Sequence, residues 1–163
     1  MKYEDARPLI KSGDLLAFSH FGWKSWHDIK IQAVRMFTRS EYSHVGIAWV
    51  VGSRVFCIEA VMPLVRIYPL SKLGEFYWLP TNVEWTPQVE DFAMSTVGAE
   101  YSQWKAIESV FETPQDNDGL WQCCEFAKAT LKLAGVDLGN EVTPTGVVKQ
   151  ALNLGYELKL VTP

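Results

Sequence analysis

Ser43-His44-Val45-Gly46-Ile47-Ala48-Trp49-Val50-Val51-Gly52-Ser53-Arg54-Val55-Phe56-Cys57-Ile58-Glu59-Ala60-Val61 reads as two β-strands joined by a tight turn. The flanking runs are rich in β-branched and aromatic residues, and Gly52-Ser53 suits a two-residue hairpin loop. Side chains alternate along a strand with period 2. His44, Gly46 and Ala48 therefore share one face, and Val55, Cys57 and Glu59 share a face of the second strand. A two-residue turn sets Val51 opposite Arg54, Ala48 opposite Cys57 and Gly46 opposite Glu59. His44 and Glu59 then become diagonal neighbours on one face. Such neighbours lie about 7–8 Å apart at the backbone, within reach of long side chains.

The rest of the chain supplies more strands first and helices later. Leu15-Leu16-Ala17-Phe18-Ser19 reads as a short buried strand, with further strands at Val65-Arg66-Ile67-Tyr68 and Glu75-Phe76-Tyr77-Trp78-Leu79. Helical spacing marks residues 23–37, through Trp26, Ile29, Ala33 and Phe37, and helices are also expected over 87–98 and 101–111. A helix from Trp121 to Ala134 ends at Gly135, a natural residue for the turn after a helix. Thr143-Pro144 opens a last short helix, and Gly155 to Val161 holds a terminal strand. Strands followed by helices favour an α+β fold over an alternating parallel sheet.

Chemistry enters where the helix at Trp121-Gln122-Cys123-Cys124-Glu125-Phe126 meets the hairpin. Small residues at Gly46 and Ala48 would let a helix approach the face that carries His44 and Glu59. A cysteine in a first helical turn feels unpaired N–H groups and the positive end of the helix dipole, which favour a thiolate. Cys124 lies on a stripe with Ala127, Leu131 and Ala134 and reads as core, which leaves Cys123 for the exposed lip. Cys123 is then the candidate nucleophile, His44 the base and later acid, and Glu59 the group that orients His44. The bland readings are a structural His44, a Glu59 paired with Arg54 or Arg66, and an inert buried Cys123. Cys57 reads as packing, and His20 and His27 as loop or surface residues. Trp23 and Trp26, just ahead of the His44 strand, are candidates for the border of a substrate groove.

The gross numbers set limits. A chain of 163 residues suggests one domain over 1–163, large enough to need no disulfide or metal to fold. A net charge of −4 and no basic run argue against nucleic-acid binding. Three cysteines, two of them adjacent, make no disulfide framework and no Cys-x-x-Cys zinc motif, so neither a metal nor another cofactor is expected. Met1 to Pro8 holds no apolar core of signal-peptide length, and no stretch reaches the roughly 18 apolar residues of a membrane span. The expectation is a soluble protein, cytoplasmic or delivered by a non-classical route such as a phage particle or secretion system. The sequence does not set its oligomeric state.

The ordered set of motifs resembles a known family. Gly-Asp-Leu-Leu at 13–16, Tyr-Ser-His-Val-Gly-Ile at 42–47, Ile-Glu-Ala at 58–60, Val-Arg-Ile-Tyr-Pro-Leu at 65–70, Gly-Ala-Glu-Tyr at 98–101 and Gln-Cys-Cys-Glu-Phe at 122–126 are similar to the circularly permuted NlpC-like, papain-like hydrolases, the YiiX/YebB-like group. The resemblance spans Gly13 to Ala151. It implies a papain-like fold with an antiparallel sheet packed against helices, and a triad of Cys123, His44 and Glu59. It also places Cys124 where the family has a small polar residue, Glu125 at the family's Glu, and Tyr101 at the site's lining. The activity implied is a thiol hydrolase, a cysteine peptidase or amidase, acting on an amide bond such as one in a peptidoglycan peptide. Two alternatives stay open: a lipid acyl hydrolase or acyltransferase of the lecithin:retinol acyltransferase type, and a non-catalytic binding module on the same shell.

Overall fold

The computed structural model describes residues 1–19, 41–61, 63–99, 122–141 and 143–163. The helices expected over 23–37 and 101–111, and Trp23, Trp26, Tyr101, His20 and His27, lie outside the described residues. Within them the chain is α+β. A short helix α1 (Tyr3–Ala6) precedes β1 (Leu15–Phe18), β2 (His44–Val51), β3 (Arg54–Val61), β4 (Leu64–Pro69) and β5 (Phe76–Leu79). Helices α2 (Pro87–Thr96), α3 (Gln122–Leu133) and α4 (Pro144–Asn153) follow, then β6 (Lys159–Val161). The strands form one six-stranded sheet in the order β4-β3-β2-β1-β5-β6, and every neighbouring pair is antiparallel.

The β2–β3 hairpin turns at Gly52-Ser53. Val51 stands opposite Arg54 and Ala48 opposite Cys57, as the two-residue loop predicts. Gly52 has φ 60° while Ser53 is not in the positive-φ region, the pattern of a type II′ turn, which suits the right-handed twist of a hairpin. The next hairpin pairs Val61 with Leu64, and this register sets Glu59 opposite Arg66.

Period 2 divides the strand residues between two apolar clusters. On one face Leu15, Ala17, Val45, Ile47, Ile58 and Ala60 pack with Phe126, Ala127 and Leu131 of α3 and with Val147, Val148 and Ala151 of α4. On the other, Leu16, Phe18, Ala48, Val55, Cys57 and Trp78 are covered by Ala6, Ile10 and Leu70. The expected packing of the cysteine helix on the Gly46–Ala48 face is therefore corrected: α3 docks on the opposite side. The amino-terminal segment covers the face left over.

Asp14 anchors the start of β1. Its buried carboxylate accepts from Lys11 N at 2.9 Å, Trp78 Nε1 at 2.8 Å and Thr81 N at 3.0 Å. Three donors satisfy a polar group that would otherwise be costly to bury. They fix β1 against the turn beyond β5 and so set the strand that flanks His44.

Candidate active site

His44 is the first residue of β2 and packs tilted against Phe18 of β1, ring centroids 5.6 Å apart. Its Nε2 lies 2.9 Å from Glu59 Oε2. The diagonal contact expected from the hairpin is thus made. Glu59 is fully buried, and its other oxygen is also held: Arg66 Nε donates to Oε1 at 2.8 Å and Arg66 Nη2 lies 2.7 Å from the same atom. The pairing of Glu59 with Arg66 and its contact with His44, weighed as rival readings of the sequence, coexist on the two oxygens of one carboxylate.

Cys123 is the second residue of α3, in its first turn. The helix crosses β2 and β3 on the far face, yet its start reaches the beginning of β2, where the thiol hydrogen-bonds with His44 and takes the backbone N–H of Val45. The expected exposed lip is corrected: Cys123 is only 7% exposed and belongs to the same apolar cluster as Cys124. The Cys124 sulfur lies 3.9 Å from that of Cys123.

These contacts settle the direction of each titration. The thiol of Cys123 is held well below the usual range by a hydrogen bond from Cys124 and by the hydrogen bond and charge of His44, against the opposing effect of burial. An S–H group is a weak donor, so the imidazolium is physically the stronger partner. Cys124 moves the opposite way, pushed up by its bond to Cys123 and by burial, and stays a protonated donor. Burial would lower His44, but its bonds to Cys123 and Glu59 outweigh it and raise the ring to about 10. Burial would raise Glu59, and His44 and Arg66 together bring it below the usual carboxylate value. Each of the three directions favours the charged form: thiolate, imidazolium and carboxylate.

Gly46 makes room for this set. A Cβ built there would sit 2.5 Å from Cys57 Sγ, 3.0 Å from the Ile58 carbonyl oxygen and 3.4 Å from Glu59 Cβ. The small residue thus admits side chains of its own sheet, not a helix. Gly46→Ala is expected to cost about 1–3 kcal/mol by overpacking. Adding Cys57→Ala should recover part of that loss, since the sulfur is removed and the carbonyl stays. Urea midpoints of the two variants and of Cys57→Ala alone close the cycle.

The sequence reading weighed Arg66 only as a rival partner for Glu59, not as a member of the site. The signal was present in Val65-Arg66-Ile67-Tyr68, because a strand paired through Val61 and Leu64 must set Arg66 beside Glu59.

The fold is also found elsewhere. The crystal structure of the metalloprotein YiiX from Escherichia coli O157:H7 matches this chain with a TM-score of 0.50 and 18% sequence identity, over 79% of this chain and 69% of that one. No family model matches the sequence, and no curated protein matches it. The metal in that neighbour's name finds no counterpart among the described residues: no group of three or more His, Cys, Asp or Glu side chains there could hold an ion. At Glu59 a cation would have to displace the guanidinium of Arg66, already bound to Oε1.

Proposed function

We propose that this chain is a single-domain thiol hydrolase of circularly permuted, papain-like architecture, with Cys123 as nucleophile, His44 as acid and base, and Glu59 as the orienting carboxylate. The observation that carries the reading is that one ring meets both partners: Glu59 Oε2 lies 2.9 Å from His44 Nε2, and His44 also bonds the Cys123 thiol in the first turn of α3. It is the arrangement in which a base takes a proton from a nucleophile while a third group fixes the base.

In this reading the Cys123 sulfur attacks a carbonyl carbon and the carbonyl oxygen takes up negative charge. The backbone N–H of Cys123, in the first turn of α3, is the candidate donor to that oxygen. His44 then gives its proton to the leaving group, and the C–N or C–O bond breaks to leave a thioester. Water, losing a proton to His44, attacks the thioester and releases the acid and the thiol. Substrates are peptides or other amides, with peptidoglycan peptides the class that the sequence resemblance favours. Tyr101, Trp23 and Trp26 are proposed to line their groove.

The test is acyl capture. Wild type and Cys123→Ala are incubated with peptidoglycan fragments and, separately, with acyl lipids, and intact mass is read after an acid quench. An adduct of fragment mass on Cys123, absent from the variant, supports the amidase. An adduct formed only from lipid moves the substrate to the acyltransferase class. Undiminished turnover by folded Cys123→Ala contradicts the mechanism.

A further inference from the structure

A buried carboxylate that must stay ionised and keep one oxygen on a histidine needs something to hold the other. Glu59 has that partner in Arg66. The β3–β4 register sets the two residues opposite each other, and Nε and Nη2 converge on Oε1 at 2.8 and 2.7 Å. The guanidinium is fixed in turn, lying over the Tyr68 ring at 4.6 Å from its centroid. Planar guanidinium and aromatic face stack favourably, which limits the rotamers open to Arg66. The terminal torsion of a glutamate is soft, so a carboxylate bound through one oxygen alone would swing.

We propose that Arg66 is a positioning residue of this site, pinning Glu59 Oε1 so that Oε2 stays on His44 and the buried carboxylate stays charged. The inference rests on the reading of Cys123 and His44 as a reactive pair. Glu59 is faced by His44 from β2, by Cys57 from its own strand, whose sulfur is 3.9 Å from Oε2, and by Arg66 from β4. Cys123 of α3 reaches it through the ring of His44. Among these groups Arg66 is the permanent cation, since His44 carries charge only when protonated. Without Arg66, Glu59 takes up a proton at higher pH and then ceases to order the ring.

The test is the pH profile of Cys123 alkylation by iodoacetamide in wild type, Arg66→Lys and Arg66→Met, with ring nitrogen shifts of His44 followed by NMR in the same samples. Loss of an opposite charge at this range moves a carboxylate by roughly one unit or more. The acid limb of the profile should therefore move up by about one pH unit in Arg66→Met, roughly a tenfold loss of rate on that flank. Arg66→Lys keeps the charge without the fork and should recover part of it. The His44 Nε2 signal should change with the same midpoint. A merely structural role would lower the melting temperature and leave the limb in place, and that result overturns the proposal. Should Arg66→Met fail to fold, Arg66→Gln carries the same comparison. A wild-type profile with no limb below that of a free thiol defeats the underlying reading, and the proposal with it. An intact wild-type limb that Arg66 variants do not move defeats the proposal alone.

Discussion

Alanine at His44 is expected to slow alkylation of Cys123 at pH 6 by about 100-fold, because most of the thiolate present at that pH is held by the imidazolium. In the folded protein His44 is raised to about 10 and Cys123 lies well below its usual value. Between those two limits the proposed reading has the pair as thiolate and imidazolium. Removing the ring leaves a thiol in an apolar cluster, where burial raises its pKa. The rate effect is smaller than the change in thiolate population, since a low-pKa thiolate is intrinsically a poorer nucleophile by about half the shift on a logarithmic scale. Near pH 10 the gap between variant and wild type should narrow, as the variant's thiol ionises and wild-type His44 loses its proton. The contacts from Val45 N–H and Cys124 survive the substitution. Rates within a factor of three of wild type at pH 6 would mean that those two contacts, not His44, hold the thiolate.

The second large effect is on stability. Glu59→Ala should destabilise the fold by about 3 kcal/mol, because it strips a buried anion from between His44 and Arg66, and both lose the contact they make to it. Glu59→Gln keeps the shape and should cost less, though one end of its amide must then present N–H groups toward Arg66 or His44. Linkage fixes how the effect varies with pH. Glu59 is lowered in the fold, so its contribution is complete above about 4.5 and is lost as pH falls through the lowered value. His44 is raised from 6.5 to about 10, so its contribution is complete below 6.5 and is lost as pH rises toward 10. The difference in unfolding free energy between wild type and Glu59→Ala should peak between about pH 4.5 and 6.5 and shrink on both sides. Urea titrations at pH 3, 5.5 and 9 measure it, and a difference flat across all three would remove the electrostatic explanation.

Much of this was legible in residues 43–61. The alternation of apolar residues and the Gly52-Ser53 turn set the register, and the register alone brings His44 to Glu59. The helix boundaries near Cys123 followed from periodicity and from Gly135, which has φ 90° beyond the end of α3. What could not be read was the face that α3 covers. Both faces of β2 are apolar, so alternation says which residues travel together and not which set meets the helix. The small-residue argument failed for a local reason: the space at Gly46 is taken by Cys57 and Glu59. Arg66 was weighed only as an alternative to the His44 contact, because that both hold one carboxylate depends on the β3–β4 register. The anchoring role of Asp14 could not be read either, because its three donors come from segments up to 67 residues away, beyond any local pattern.

No helix among the described residues is long and apolar enough to cross a membrane.

The most direct measurement is the thiolate absorbance near 240 nm of wild type against Cys123→Ala, followed from pH 4 to pH 10. The difference should show a step well below the usual thiol value of about 8.5, with the absorbance already high at pH 7. A step at or above 8.5 would mean that Cys123 is an ordinary buried thiol, and the account of the site as a thiolate–imidazolium pair would be wrong.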